Sequence, residues 1–268
     1  MRNKKYIHIA VLLIIIFVFY RVNLLLLFAI ISIYLIVLNY PTILFLMGSN
    51  KYSQKQVEKA NKYFDRMDRC FYSPASRRIS YVYILLLQGD VDKAEGVIKS
   101  ILKKTLTDKE KLDLNLNYSL VMWKKNDLDK AIDILQKVHV NTKSTVVYQN
   151  LGYFLLLRGD YKAALEFNLE ALSYNTSNSG IMDNLAENYY YLGEYDKAIE
   201  IFDEVISKAP TFATPYYYCA LTLIKQDNKE KALEVLRKGL ECKFSSLSIT
   251  NKDVLEAKIL ELEAIEKL

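Results

Sequence analysis

The sequence predicts an all-α protein in which an N-terminal transmembrane helical hairpin precedes an α-solenoid of helix–turn–helix repeats. Three observations predict this fold class. Residues 6–47 are almost wholly apolar, small residues recur about every 34 residues from residue 94 onward, and only 8 of the 268 residues are glycine and 4 are proline. So few turn-forming residues argue against a turn-rich all-β fold and against a disordered chain.

The apolar N-terminal stretch holds about twice the ~20 residues that one helix needs to cross the hydrocarbon core of a bilayer. Arg21 and Asn23 interrupt it, so we predict spans at about 6–20 and 24–47 within an anchor of residues 1–50. Three alternatives remain: a cleaved signal peptide, a single span at 24–47, or a hairpin within one leaflet. No small-x-small cleavage site follows Tyr20, which disfavours the signal peptide.

Basic residues flank the apolar stretch on both sides. Arg2, Lys4 and Lys5 precede it, and lysines follow it from Lys51 onward. The positive-inside rule therefore predicts an integral protein of the plasma or inner membrane, with both termini and the repeats in the cytoplasm. The first lysines after the anchor are expected to contact lipid headgroups: Lys51, Lys55 and Lys59.

The net charge of +5 is no signal for nucleic-acid binding. The first 50 residues contain four bases and no acid, whereas the other 218 residues are nearly neutral. Within that remainder residues 51–111 carry a net +6 and residues 112–268 a net −5, so the distal part is expected to prefer neutral or basic partner segments. Three separated cysteines without a CxxC pair favour a reducing compartment over disulfides or zinc.

Five small residues mark the repeat. They are separated by 37, 33, 34 and 34 residues: Ala94, Ala131, Ala164, Ala198 and Ala232. We predict five repeats at about 75–111, 112–144, 145–178, 179–212 and 213–246. Ala60 lies one further step back, so residues 51–74 are predicted to form a juxtamembrane helix, the second half of a repeat that begins on the membrane span.

The repeat resembles the tetratricopeptide repeat family. Its third copy carries the family's aromatic, Leu-Gly, Gly-x-Tyr and small positions: Tyr148, Leu151, Gly152, Gly159, Tyr161, Ala164 and Ala171. The fourth copy repeats most of them and ends at Pro210, while Asn168, Thr176 and Phe244 depart from the pattern. Aspartates or asparagines precede four second helices, where they can cap the helix: Asp90, Asp127, Asp160 and Asn228.

The last segment, 247–268, is predicted to be a C-terminal capping helix. Thr250-Asn251-Lys252-Asp253 has the form of a capping box before an apolar face of Leu255, Ile259 and Leu262. A terminal helix with a polar outer face is what a solenoid needs where its last repeat has no neighbour. Dimerisation through this helix is the alternative.

The sequence predicts no enzyme, no cofactor and no metal site. Its two histidines, His8 and His139, are far apart, and its glycines lie in helix turns rather than in a phosphate-binding loop. A binding surface for a protein or peptide is the remaining expectation, with no nucleic acid and no small-molecule substrate. The rival interpretation is an assembly or signalling component that other membrane proteins contact mainly through the hairpin.

The resemblance implies that the first helices of the repeats line a concave groove. At the groove positions stand Asn117, Trp123, Gln149, Asn150, Tyr153, Asp183, Asn184, Glu187, Tyr190, Tyr191 and Tyr217, which we predict to bind the partner. Asn117, Asn150 and Asn184 occupy one position of three successive repeats and serve either as a ladder of amides for a peptide or as ordinary repeat packing. Trp123 is either a groove anchor or a packing residue. The Lys/Arg clamp of family members that bind chaperone tails is absent, so a carboxylate-tail clamp is disfavoured.

Overall fold

The computed structural model describes the backbone of residues 2–21 and 24–265, and the side chains of residues 8–17 and 26–264. Within these ranges all regular structure is helical, which confirms the all-α prediction. The helices are α1 Arg2–Arg21, α2 Leu24–Ser53, α3 Val57–Arg69, α4 Ala75–Gln88, α5 Val91–Ile101, α6 Asp108–Lys124, α7 Leu128–Asn141, α8 Thr145–Arg158, α9 Tyr161–Tyr174, α10 Ser179–Tyr191, α11 Tyr195–Ser207, α12 Thr214–Lys225, α13 Lys229–Gly239 and α14 Lys252–Ile265. They form two compact units, Met1–Arg78 and Ile79–Leu268.

The first unit contains the apolar helices α1 and α2. The imidazole Nδ1 of His8 lies 2.8 Å from the hydroxyl of Tyr34, so the two helices touch. The segment Leu26–Ser53 is long and apolar enough to cross a membrane, and the apolar part of α1, His8–Phe17, is shorter. Buried core helices and signal sequences share these properties, and the predicted break at residues 22–23 lies outside the described residues, so the two-span hairpin stays a prediction.

The last turns of α2 pack against α3 with the helices antiparallel. Gly48 lies so close to Phe64 that a Cβ atom on the glycine would be 2.6 Å from the ring, and the Phe45 and Phe64 ring centroids are 5.6 Å apart. Lys55 makes the turn between the helices with a φ of 60°. The helix that carries the apolar stretch therefore continues without interruption into a helix pair of the kind that the repeats use.

In the second unit, α4 to α13 alternate as first and second helices of the repeats. The four predicted caps are confirmed, because the side chains of Asp90, Asp127, Asp160 and Asn228 each accept a hydrogen bond from the N–H three residues later. The predicted boundary at residue 112 falls inside α6. A capping box between Thr107 and Glu110 starts that helix four residues earlier, at Asp108.

Small residues bring each pair of helices together. The alanines that mark the repeat, from Ala94 to Ala232, are all fully buried. Asn168, which departs from the family pattern, is also fully buried, and its Nδ2 donates to Oδ1 of Asn188 at 3.1 Å. Asn188 in turn donates to the Tyr161 carbonyl at 2.7 Å. The departure is thus a buried polar contact that joins α9 to α10, in which Asn168 Oδ1 has no hydrogen-bond partner.

The chain after α13 closes the array. Ser246 donates through its hydroxyl to the Leu86 carbonyl, and its N–H donates to the Leu87 carbonyl at 3.3 Å, so the last connection contacts the end of α4. The helix α14 then buries one apolar face. The predicted capping box at Thr250 is wrong: Asn251 caps α14, because its Oδ1 accepts from the Val254 N–H at 2.9 Å, whereas Thr250 is buried.

Candidate partner-binding face

Tyrosines gather on the first helices of three successive repeats, α8, α10 and α12. We call this set the tyrosine face: Tyr153, Tyr190, Tyr191, Tyr217 and Tyr218. The hydroxyls of Tyr191 and Tyr218 are 2.6 Å apart, and the rings of Tyr190 and Tyr218 meet edge to face at 5.6 Å. Edge-to-face pairs hold rings rigidly, so these side chains give a partner preorganised contact area with polar tips.

Two further aromatic side chains adjoin the tyrosine face, one within the array and one on the preceding repeat. Tyr161, at the start of the second helix α9, stacks on Tyr191 with centroids 4.6 Å apart and the planes nearly parallel. Trp123 of α6 meets Tyr153 edge to face at 6.0 Å and lies 5.9 Å from the Phe154 ring. The indole is half-buried and Lys124 Nζ lies 4.3 Å from its centroid, so Trp123 both packs and forms part of the surface.

Two carboxylates lie beneath the tyrosines. Asp183 and Glu187 are one turn apart on α10, and their exposed fractions are only 4% and 2%. Asp183 Oδ1 and Glu187 Oε1 have no hydrogen-bond partner. Among the residues whose side chains the structure describes, no Lys, Arg or His forms an ion pair with either carboxylate. Burial of two carboxylates without a base or a full set of hydrogen bonds lowers the stability of the folded state. Buried polar groups that lack partners therefore need a functional or structural reason.

The burial changes the proton affinity of the whole cluster. Burial raises the pKa of Asp183 well above its usual range, and burial together with the Asp183 charge raises the pKa of Glu187 likewise. Burial first, and the neighbouring Glu187 second, raise the phenol pKa of Tyr153 and of Tyr218. The site is therefore a desolvated place that lacks positive charge.

Two of the predicted amides hold the repeats together. Asn117 Nδ2 donates to the Ile79 carbonyl at 3.0 Å, and Asn184 Nδ2 donates to the Gln149 carbonyl at 2.7 Å; both side chains are buried. Each bond links a first helix to the first helix of the preceding repeat, so these amides act in repeat packing. Asn150 is half-buried, and the Gln149 side chain covers Gly180, where a Cβ atom would lie 2.4 Å away.

The structure thus brings most of the predicted partner-binding residues together on α8, α10 and α12. Sequence reasoning did not assign Tyr161 to this site, because the residue is a repeat-marking aromatic on a second helix and only its stacking on Tyr191 reveals its place. The predicted headgroup lysines belong to the first unit. Lys51, Lys55 and Lys59 lie at the turn between α2 and α3, where Lys51 is half-buried and the other two are exposed.

The tetratricopeptide repeat family model matches residues 180–212, which include most of α10 and all of α11. Among curated proteins, the BBSome complex member BBS4 of Bos taurus is 33% identical over 84 residues, which are 31% of this chain and 16% of the relative. The TPR repeat-containing protein MJ1428 of Methanocaldococcus jannaschii is 26% identical over 180 residues, which are 62% of this chain and 32% of the relative. The chain spans less than a third of the length of these relatives.

Solved structures share the fold at low sequence identity. A tetratricopeptide repeat protein from Parabacteroides merdae superposes with a TM-score of 0.71 at 16% identity, covering 84% of this chain and 85% of that chain. The APC/C hetero-tetramer Cut9-Hcn1 superposes with a TM-score of 0.64 at 15% identity, covering 83% of this chain and 42% of that one. Together with the matched repeat, these similarities confirm the predicted α-solenoid.

Proposed function

We propose that this chain, whose described residues form a helical solenoid similar to those of tetratricopeptide repeat proteins, is a membrane-anchored, non-enzymatic scaffold that binds a segment of a partner protein on the tyrosine face. The observation that carries the proposal is the set of mutually packed tyrosines on the successive first helices α10 and α12, of which Tyr191 is exposed and Tyr190, Tyr217 and Tyr218 are half-buried. Rigid aromatic side chains with polar tips are the residues that dominate protein–protein interfaces. The apolar segment Leu26–Ser53 supports the membrane anchor.

The buried carboxylates indicate what the partner segment carries. Asp183 and Glu187 each have an unpaired oxygen, and no described base neutralises them. A Lys or Arg side chain of the partner that enters between the tyrosines would supply both the missing charge and the missing donors, as charge-assisted hydrogen bonds. The net −5 of residues 112–268 favours the same class of partner. We therefore propose that the bound segment is basic.

A crosslinking experiment in cells tests where the partner binds. A photoreactive phenylalanine analogue at Tyr190 or Tyr217 should capture one and the same partner. The same analogue at Lys162 or Glu200, which are exposed on the second helices α9 and α11, should not. Equal capture from all four positions would contradict binding on the tyrosine face.

The partner's charge is tested with the exchange of both carboxylates. The double variant D183N/E187Q keeps the shape of the two side chains but cannot be ionised, so capture from Tyr190 should fall at least tenfold, the equivalent of about 1.4 kcal/mol. The matched control E200Q removes one exposed acid of the same unit and should bind as the wild type does. Asn184 is left unchanged in these variants, because its amide holds the Gln149 carbonyl and its loss would disturb repeat packing.

A second candidate function places the partner on the membrane helices. It is favoured by the many exposed apolar side chains of α1 and α2, among them Phe17 and Phe28, each 72% exposed, which can contact lipid or another membrane protein. Replacement of residues 1–40 by an unrelated two-span anchor separates the two functions. Loss of function with intact crosslinking from Tyr190 would favour the hairpin, and topology reporters fused at residue 22 and at the C-terminus test its two crossings.

A further inference from the structure

The connection between α3 and α4 carries two exposed aromatic side chains. Phe71 is 94% exposed and Tyr72 is 40% exposed, in a turn that begins where α3 ends at Arg69. The turn is well formed, since the Ser73 N–H donates to the Cys70 carbonyl at 2.9 Å and the Ser73 hydroxyl lies 2.9 Å from the Met67 sulfur. Phe71 and Tyr72 are adjacent on this ordered turn, so together they form a small exposed aromatic patch that can contact something outside this unit.

The antiparallel register of α2 and α3 gives the level of this turn along α2. Phe64 faces Phe45 and Gly48. From Phe64 the chain runs seven residues further to Phe71, about 10 Å at the helical rise of 1.5 Å per residue. This distance brings Phe71 back to the level of about Tyr40 on α2.

At the same level α2 changes from a helix with exposed apolar side chains to one that is packed against α3. From Pro41 onward one of its faces is covered by α3, with Leu44 and Phe45 buried. Before Pro41 it presents a nearly continuous exposed apolar surface: Ile33, Leu35, Ile36, Val37, Leu38 and Tyr40. Because α3 bears many charged residues, which the hydrocarbon core excludes, the turns of α2 that it covers belong outside that core. If α2 crosses a bilayer, this places the hydrocarbon boundary near Tyr40 rather than at the predicted residue 47.

Arginines surround the aromatic turn. Arg66 and Arg69 are exposed on the last turn of α3, and the Arg77 guanidinium lies 5.3 Å from the Phe45 ring centroid. Arg78 is engaged with Asp68, at 2.6 Å, and is not part of this exposed set. Arginine heads beside aromatic rings are the composition of a membrane–water interface, where the rings enter the headgroup level and the guanidinium groups bind phosphates.

We propose that the α3–α4 turn is a second membrane contact, in which Phe71 and Tyr72 enter the interface between headgroups and acyl chains while Arg66 and Arg69 bind anionic headgroups. This inference rests on the proposed anchoring of α2. The far end of the α2–α3 pair then carries Lys51, Lys55 and Lys59. About twelve helical residues separate this end from the boundary near Tyr40, a distance of about 18 Å. The residues that contact lipid headgroups are then Arg66 and Arg69, and no longer the predicted lysines.

Tryptophan fluorescence in lipid nanodiscs tests the contact with the full chain. In a Trp123→Phe background, single tryptophans are placed at Phe71, at Lys59 and at Ile36, and the bilayer of phosphatidylcholine and phosphatidylserine contains lipids brominated on the acyl chain near the headgroup. We expect a blue-shifted and quenched emission for F71W, an unquenched emission for K59W and a quenched emission for I36W. The exposed fraction of Phe71 makes the substitution tolerable for folding.

The three positions separate the two proposals. Quenching at I36W without quenching at F71W would overturn the membrane contact of the turn and leave the anchor intact. No quenching at either position would overturn both. With F71W as reporter, R66Q/R69Q should abolish the extra quenching that phosphatidylserine gives over phosphatidylcholine alone, whereas the control K51Q/K55Q/K59Q should keep it. If only K51Q/K55Q/K59Q abolished the extra quenching, the lysines rather than the arginines would be the residues that contact headgroups.

Discussion

The two units of the chain use the same apolar residue types in opposite ways. In Met1–Arg78, most of the large apolar side chains described on α1 and on α2 before Pro41 are exposed, including Leu12, Phe17 and Phe28. In Ile79–Leu268, apolar residues of the first helices pack inward, and Tyr148, Leu151 and Phe154 are each 1% exposed. The share of large apolar side chains that are exposed thus distinguishes the two units. A helix in lipid needs no polar face, whereas a helix in a water-exposed array keeps one.

The largest expected effect concerns the closest helix contact of the repeats. A Cβ atom on Gly152 would lie 2.1 Å from Asn168 Oδ1, so Gly152→Ala must push α8 from α9 and disturb the Asn168–Asn188 network. We expect the free energy of unfolding to fall by about 3 kcal/mol. Urea unfolding of the full chain in nanodiscs, followed by circular dichroism, measures it.

The control is another helical glycine of the same unit. A Cβ atom on Gly96 would meet no atom within 4 Å, so Gly96→Ala should raise stability by about 0.5–1 kcal/mol through the better helix propensity of alanine. Equal destabilisation by both substitutions would contradict the close contact at Gly152.

A smaller change in the free energy of unfolding is expected from the two buried acids of the second unit, Asp183 and Glu187. The apolar helices α1 and α2 contain no acidic residue. The folded-state pKa values of Asp183 and Glu187 lie above their unfolded values of about 4. Their contribution to stability is therefore full below pH 4 and is lost as the pH rises toward the folded pKa values. At pH 8 we expect D183N/E187Q to be about 2 kcal/mol more stable than the wild type, and at pH 4 to be no more stable.

Urea unfolding at pH 4, 6 and 8 measures this difference, with E200Q as the control that should follow the wild type. Parallel pH profiles for the wild type and D183N/E187Q would show that the two acids keep ordinary pKa values in the folded chain, so that their burial does not oppose ionisation. That result would also remove the argument for a basic partner segment.

In the first unit the comparable contact is that of Gly48 with Phe64. The contact partner is a ring that can turn aside, so Gly48→Ala should cost less than Gly152→Ala, about 1–2 kcal/mol of the stability of the α2–α3 pair. Hydrogen exchange of the α3 amides measures it. Met47→Ala, at an exposed position of the same helix, should leave that exchange unchanged, and faster exchange in the Met47 variant would show that the exposed face is also packed.

The smallest effect is expected at the ion pairs between α5 and α6. Lys125 Nζ lies 2.9 Å from Asp92 and 2.8 Å from Glu95, and hydrogen bonds from Lys125 and Lys99 lower the pKa of Glu95 to about 2. These groups remain in contact with water, which screens their attraction, so Lys125→Ala should lower the free energy of unfolding only slightly. A larger loss in urea unfolding at low salt would show that the array depends on surface charge as well as on packing.

The sequence predicts those features that local rules control. Helix caps such as Asp127 and Asp160 and the buried alanines depend on neighbours within one repeat, so spacing alone locates them. The pairing of Asn168 with Asn188, the burial of Glu187 and the stacking of Tyr161 on Tyr191 depend on how successive repeats approach each other. The exposure of Phe71 likewise follows from the register of α2 against α3 rather than from any residue pattern.

The contact of Ser246 with the end of α4 joins the last connection of the chain to the first helix of the first repeat. An open solenoid derives its stability from nearest-neighbour interfaces only, whereas this contact joins residues 160 positions apart. Its two hydrogen bonds contribute about 0.5–1.5 kcal/mol each, against a loop-closure entropy that grows with the logarithm of the loop length. Because two hydrogen bonds contribute far less free energy than the packed core of a repeat, we expect this contact to open before any repeat unfolds.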